Sequence, residues 1–378
     1  MRKKIIFFLE SLAGGGAEKV LSDLVTKLDK SRYDITVVTV VDGGIYRDVI
    51  ENICNNYYSI LPDPIKCNTL FKKLFYKVRY KLLYKLPTSW IYKYFIKGDF
   101  DIEIGFVEGF ATKIISNSNN IKSKKIAWVH SDPINHAYAD RYYKNIKHQK
   151  ECYKRFDNIV CVSEGVKKAF EKKMFKENKI VVKYNPVDKE TIINKSKETC
   201  DFNKPERLLI GTVGRLTNQK GYDRLLRIIK RLINSGLNLE LWILGEGEER
   251  LVLEKYIIEN DLVDFVKILG FKDNPYKYLK LCDLFVCSSR AEGFSLAIAE
   301  AITLGLPVLS TDCAGPNELL GFGSYGLVVK NDETSLFNGI KSIVLNKSEL
   351  SRFRSKSMER QKVFEIDIAI NEIEKIFV

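Results

Sequence analysis

Short apolar runs alternate with segments of helical periodicity from the first residues onward. Residues 4–9 read as a strand, 17–28 as a helix and 35–41 as a second strand, and this βαβ spacing persists. Further strands are expected at 101–106, 125–130, 158–162 and 179–183, with helices at 111–118, 145–156 and 164–175. A polar stretch over 187–205 has no apolar periodicity beyond Ile192-Ile193 and reads as a domain boundary. A second series follows, with strands at 207–213, 240–244, 265–269, 284–288 and 307–310 and helices at 222–234, 248–260, 275–280 and 296–304. Apolar runs bounded by turns fit parallel strands buried on both faces. The pattern predicts an α/β chain of two doubly wound Rossmann-like domains, residues 1–185 and 186–362, facing one another across a cleft at the carboxyl ends of their sheets. Residues 363–377 predict a last amphipathic helix.

One window stands out by charge. Of a formal +13, eight positive charges and no acid lie within residues 70–97 (Lys72, Lys73, Lys77, Arg79, Lys81, Lys85, Lys93, Lys97), leaving +5 for the other 350 residues. On a helix at 100° per residue, Phe71, Leu74, Phe75, Val78, Leu82 and Leu86 form one apolar stripe. Tyr76, Tyr80 and Tyr84 fall opposite, among the lysines, so the expected outer face is aromatic and cationic. That face suits an anionic membrane, where each Lys or Arg contributes about 1 kcal/mol and Tyr favours the interface. The competing reading is a helix that packs its apolar stripe on the core and shows its lysines to water. No RNP, zinc or helix-turn-helix signature accompanies the run, so no nucleic-acid partner is expected.

Composition narrows the classes further. With 45% hydrophobic and 29% charged residues the chain is neither disordered nor, lacking any apolar run of membrane-spanning length, an integral membrane protein. The first apolar run is too short for a signal peptide, so the N-terminus is expected to stay in the fold and the protein in the cytoplasm. The eight cysteines show no CxxC pair and no His at ligand spacing, which predicts reduced thiols.

Three loops carry candidate chemistry. The first strand runs into Leu12-Ala-Gly14-Gly15-Gly16-Ala-Glu18, where consecutive glycines and a helix N-terminus let Gly15 and Gly16 approach an anion or a sugar hydroxyl. In the second half, Gly214-Arg215-Leu-Thr-Asn-Gln-Lys220-Gly221 places two cations on a strand-to-helix loop, a guanidinium fork and a mobile ammonium suited to a diphosphate. The run 288–301 places Glu292 before an inferred helix start and Glu300 inside that helix, with N–H groups of Gly293, Phe294, Ser295 and Leu296 between them. A carboxylate on an apolar helix needs hydrogen-bond partners, and the vicinal diols of a ribose or hexose supply them. Asp99-Phe-Asp101 is the one Asp-x-Asp string; it opens an apolar strand and reads as structural, so no metal or other cofactor is expected.

The run VGRLTNQKG at 213–221, the pair Glu292/Glu300 and the continuation EAITLGLPVLSTDCAGPNE at 300–318 resemble the retaining, nucleotide-sugar-dependent glycosyltransferases of family 4, which have the GT-B fold. The likeness takes in the GGGAE loop and the last helix, which by the resemblance packs back on the first domain. It implies that Arg215 and Lys220 bind the donor diphosphate, Glu300 the ribose and Glu292 the donor sugar. His130, in Ala-Trp-Val-His130-Ser-Asp-Pro133, looks like the family's active-site histidine. Where the family has paired glycines, this chain has Ala314-Gly315, which leaves Glu318 outside the expected ligand set. Related enzymes that extend polyprenyl-diphosphate-linked glycans carry a basic amphipathic helix similar to 70–86. The expected activity is transfer of a sugar, with UDP the favoured nucleotide, to a lipid-linked or polysaccharide acceptor in bacterial surface-glycan (capsule or exopolysaccharide) assembly. The enzyme is expected to sit peripherally on the inner face of the plasma membrane, with Lys72, Lys73, Lys77, Arg79, Lys81 and Lys85 toward acceptor and membrane. The alternatives are a UDP-sugar epimerase of similar architecture, which needs no acceptor, a pyridoxal-dependent glycan phosphorylase, whose chain is far longer, and a non-enzymatic binder of anionic surfaces.

Overall fold

The apolar runs become the strands of two parallel sheets in a computed structural model that describes all 378 residues, Met1–Val378. The chain divides into two units, Met1–Pro186 with Asp367–Val378, and Val187–Ile366. In the first unit β1 (Lys3–Leu9), β2 (Tyr33–Val41), β3 (Asn56–Leu61), β4 (Ile102–Gly105), β5 (Lys124–Val129), β6 (Asn158–Cys161) and β7 (Ile180–Val182) lie in the order 3-2-1-4-5-6-7. Ile5 pairs in parallel with Ile35 on one side and Ile102 on the other. Ile5, Ile6, Phe7, Phe8 and Leu9 are wholly buried, as a strand covered on both faces requires. Strand order reverses between β1 and β4, so the connections leaving these strands diverge and open a crevice at their carboxyl ends. The helices that shape this edge are α1 (Gly16–Lys27), α2 (Leu70–Leu83), α3 (Thr88–Phe95) and α4 (Phe110–Ile115).

The second unit repeats the plan. Strands β8 (Leu208–Val213), β9 (Leu239–Leu244), β10 (Val266–Gly270), β11 (Leu284–Cys287), β12 (Val308–Thr311) and β13 (Leu327–Val329) take the order 10-9-8-11-12-13, reversing between β8 and β11. Its site-bearing helices are α5 (Tyr222–Asn234), α6 (Leu296–Thr303) and α7 (Ala314–Leu319). Helix α5 buries Leu225, Leu226, Ile228, Ile229 and Leu232 against the sheet, each worth roughly 1.5–3 kcal/mol. It begins at Gly221, whose φ of +68° and close approach to the Ser288 carbonyl leave no room for a Cβ. The one charge in the buried run of β9, Glu240, is satisfied by the Trp242 indole at 2.6 Å and by Lys267 at 2.9 Å.

The last helix, α8 (Ile366–Glu374), lies in the first unit apart from its opening residue. Glu374 pairs with Arg32 at 2.6 Å, Glu372 with Lys183 at 2.8 Å, and the Phe377 ring meets Tyr33 edge-on at 5.8 Å. Several elements escape the sequence pattern: β3, a helix over Lys189–Ser196 inside the polar stretch, and helices Glu333–Leu345 and Lys347–Arg360. The helix at Lys189–Ser196 buries little besides Ile192 and Ser196, so its periodicity is too faint to register.

Helix α2 corrects the expected orientation. Its tyrosines do not all form the outer face: Tyr84, the C-terminal cap residue, stacks on Phe110 at 4.1 Å, lies tilted 4.7 Å from Tyr80 and reaches Glu10 through its hydroxyl, whereas Tyr80 stays 37% exposed. The apolar stripe points outward instead, with Phe71 77%, Leu74 63%, Phe75 54% and Leu82 56% exposed. A polar and aromatic anchor at the helix C-terminus sets its rotation. The lysines of α2 are exposed as expected, and Trp90 and Tyr94 of α3 are exposed as well. No helix is long and apolar enough to cross a membrane.

Candidate active site

The second unit's site forms where β8 and β11 part. Lys220 ends the loop after β8 and Glu292 lies on the loop after β11; their Nζ and Oε1 atoms are 2.5 Å apart. Ser289 donates its hydroxyl to the same carboxylate oxygen at 2.6 Å. These groups line a small pocket together with Tyr222, Cys287 and Ser295. Burial disfavours the Lys220 ammonium, but the adjacent Glu292 charge outweighs it and the pKa is raised. The ion pair holds opposite charges that a sugar diphosphate could engage separately, its phosphates on the ammonium and its hydroxyls on the carboxylate.

The same cavity reaches the start of α6. Ser295 adopts left-handed backbone at φ +72° and contributes no side-chain cap, so the first-turn N–H groups of α6 are not closed off by it. Gly315 of α7 packs so closely on Gly293 and Phe294 that a Cβ there would strike their backbone, which assigns the contact to the second residue of Ala314-Gly315. Glu300, one turn into α6 and 5% exposed, accepts the Tyr276 hydroxyl at 3.1 Å. Arg215 is exposed on the loop after β8 and makes no ion pair. Thus the structure joins Lys220, Glu292 and Ser295 in one cavity, while Arg215 and Glu300 lie outside its lining.

Residues not singled out in the sequence hold these loops. Buried Arg224 donates to the Ser288 carbonyl at 2.9 and 2.6 Å and to the Ser289 carbonyl at 2.9 Å. Arg290 clasps Asp223 through two bonds of 2.8 and 2.9 Å, and its guanidinium overcomes partial burial to draw the Asp223 carboxyl down to about 2. Nothing in residue type distinguishes Arg224 from a solvated helix arginine, since its role depends on carbonyls 64 residues away.

In the first unit, His130 follows β5. Its ring hydrogen-bonds the Phe106 backbone, and Nε2 is enclosed without a partner in the protein. Burial pushes its pKa down to about 4, so the imidazole is neutral in ordinary conditions. Buried Glu108 accepts the backbone N–H groups of His130 at 3.0 Å and Ser131 at 2.8 Å, as well as the Ser131 hydroxyl. Burial raises the Glu108 pKa, against those hydrogen bonds. Gly15 caps α1 and Gly16 opens it, at the carboxyl end of the adjacent β1. Asp101 accepts the Lys4 backbone N–H at 2.8 Å, a bond between neighbouring strands.

Comparison with known proteins gives a consistent picture. A family model described as "Glycosyltransferase Family 4" matches residues 14–191, and one described as "Glycosyl transferases group 1" matches residues 194–360. An uncharacterised glycosyltransferase of Methanocaldococcus jannaschii is 32% identical over 298 residues, 69% of this chain and 72% of that one. The N-acetylgalactosamine-N,N'-diacetylbacillosaminyl-diphospho-undecaprenol 4-alpha-N-acetylgalactosaminyltransferase of Campylobacter jejuni is 35% identical over 189 residues, half the length of each chain. Among solved structures, HepE of Anabaena in complex with UDP and glucose superposes with a TM-score of 0.78 at 18% identity, covering 100% of this chain and 99% of that one.

Proposed function

The chain belongs to the family 4 glycosyltransferases and has their GT-B fold, and from that premise we propose that it moves a sugar from a UDP-sugar to a lipid-linked or polysaccharide acceptor, with retention at the anomeric carbon. The observation that carries the reading is the Lys220–Glu292 pair at 2.5 Å beside the start of α6. Heterolysis of the anomeric C–O bond leaves negative charge on the nucleoside diphosphate, and catalysis consists largely of stabilising that charge. Lys220, Arg215 and the first-turn N–H groups of α6 supply it. Glu292, released from Lys220 as the phosphates arrive, accepts hydroxyls of the transferred sugar, and Glu300 those of the ribose. By likeness to the family, the acceptor hydroxyl attacks from the leaving-group face and gives its proton to the departing phosphate. Neutral His130 offers Nε2 as an uncharged hydrogen-bond partner to a sugar hydroxyl. The UDP complexes of the structural neighbour make UDP the first nucleotide to test.

The acceptor and membrane readings rest on α2 and on the Campylobacter relative, whose name specifies a diphospho-undecaprenol acceptor. An outward apolar stripe flanked by lysines has the make-up of an interfacial helix: the stripe enters the acyl boundary while the lysines meet anionic headgroups. The protein then works on the inner face of the plasma membrane, where such acceptors are presented.

Titration with UDP and turnover on a panel of UDP-sugars test the donor reading. Lys220→Ala and Glu292→Gln are each expected to lower turnover about 10²–10³-fold, the scale of removing one charge-stabilising group. Wild-type rates in both variants would discard the assignment.

A further inference from the structure

Lys220 and Glu292 stand on separate loops, after β8 and after β11, so some further contact must hold the two loops in register. The loops are laced together along a single turn, Asn218–Lys220, whose three carbonyls are all taken by the second loop. The Arg290 guanidinium donates to the Asn218 carbonyl at 2.5 Å, the Arg290 backbone N–H to the Gln219 carbonyl at 2.7 Å, and the Ser288 hydroxyl to the Lys220 carbonyl at 2.9 Å. Carbonyls engaged in this way are turned from any anion that Lys220 receives.

Gln219 closes the lacing from the other side. Its Nε2 donates to the Ala291 carbonyl at 2.8 Å. The reverse amide orientation would set Oε1 against that carbonyl, acceptor to acceptor, so the contact itself fixes which end of the amide faces Ala291. Gln219 thus bridges the loops twice, once by backbone and once by side chain. Its successor in the chain is Lys220, and the successor of Ala291 is Glu292. The 2.5 Å ion pair therefore lies one residue beyond the bridge on each loop.

Gln219 is partly buried and does not line the pocket, so it has no direct part in the donor chemistry. Ordering a long amide costs rotamer freedom comparable to what one neutral hydrogen bond returns, and the contact adds little net stability. What it fixes is distance. A sugar diphosphate that places its phosphates on Lys220 and its sugar hydroxyls on Glu292 must span both loops, and an error of an ångström in their separation misplaces the reacting carbon. We propose that Gln219 is a positioning residue, which through its bond to Ala291 holds the Lys220 ammonium and the Glu292 carboxylate at the spacing a bridging sugar diphosphate requires. The bridge rests on the geometry of the second unit; its use in sugar transfer rests on the donor reading.

The test is a double-mutant cycle on the full chain. Gln219→Met keeps the length of the side chain and removes the donor, while Glu292→Gln removes the pairing charge. Turnover of a UDP-sugar is expected to fall about tenfold in Gln219→Met, and by no further factor when Gln219→Met is added to Glu292→Gln, because the bridge acts through the pair. A residue that merely braces the loops would lower both backgrounds by the same factor. Equal factors, or wild-type rates in Gln219→Met, overturn the proposal. Amine labelling read by mass spectrometry needs no substrate: Lys220 is expected to label several-fold faster in Gln219→Met than in wild type, with the other lysines unchanged. An unchanged Lys220 rate overturns the proposal by itself. Should Gln219→Met fold poorly by circular dichroism, Gln219→Asn, one methylene short of Ala291, takes its place in both measurements. If wild type turns over no UDP-sugar, the donor reading fails and the labelling rate alone decides the bridge.

Discussion

His130 shows how one buried side chain ties pH to both fold and chemistry. Its pKa of about 4 in the folded chain lies below the ordinary 6.5, so the unfolded state takes up a proton first as pH falls. The stability it contributes is therefore present above pH 6.5 and is lost between 6.5 and about 4. At most this amounts to about 3 kcal/mol, from 1.36 kcal/mol per pKa unit. Urea unfolding of wild type and His130→Gln should give stabilities that converge as pH drops through that window. The pH profile of turnover should likewise show no limb near 6.5, because the imidazole is neutral on both sides of it. Glu108 has the opposite sign: its raised pKa makes the carboxylate costlier as pH rises past the usual range, and the backbone bonds to His130 and Ser131 offset part of that cost. Ser295 stores strain of a different kind. A serine at φ +72° is disfavoured, so Ser295→Gly is expected to raise stability by about 1 kcal/mol in denaturant titrations.

Helix α2 is the element whose outward face only the fold could reveal. Its periodicity, its lysines and its two opposed stripes are legible in residues 70–86, but a helix with two aromatic-rich faces has no internal preference for which one turns in. The choice depends on Tyr84 meeting Phe110 and Glu10, contacts that span tens of residues of chain. The outcome separates two terms of membrane binding. Replacing Lys72, Lys73, Lys77 and Lys81 by Gln is expected to weaken flotation with anionic liposomes by on the order of a thousandfold and to flatten its salt dependence. Replacing Phe71, Leu74 and Leu82 by Ser should weaken binding at all salt concentrations. Flotation unaltered in both sets would return α2 to an ordinary solvated helix.

For the whole molecule, the two parallel sheets recur with reversed order at β1/β4 and β8/β11, and each unit places its functional loops at the carboxyl ends beside that reversal. The chain then returns to its beginning, since α8 closes on the first unit by Ile370, Ile373 and Phe377 and by the Arg32–Glu374 pair. Removing residues 367–378 is expected to destabilise the first unit by several kcal/mol, at roughly 1.5–3 kcal/mol per buried apolar side chain. Calorimetry should show this as a lowered unfolding transition. An unchanged thermogram would mean that α8 contributes little.

Alternating apolar runs and their turns were enough to place most strands near their true bounds, because a strand buried on both faces must be apolar whatever lies around it. The loop glycines and the acid and base types at Lys220 and Glu292 were equally plain, since the chemistry of anion and polyol binding demands those residues. What the linear chain left open was every relation set by distance through space. The 2.5 Å pairing of Lys220 with Glu292, the clamp of Arg224, the support of His130 by Glu108 and the outward turn of the α2 stripe each join residues far apart in sequence. Such contacts depend on how packed elements orient side chains, and composition and spacing carry no record of that.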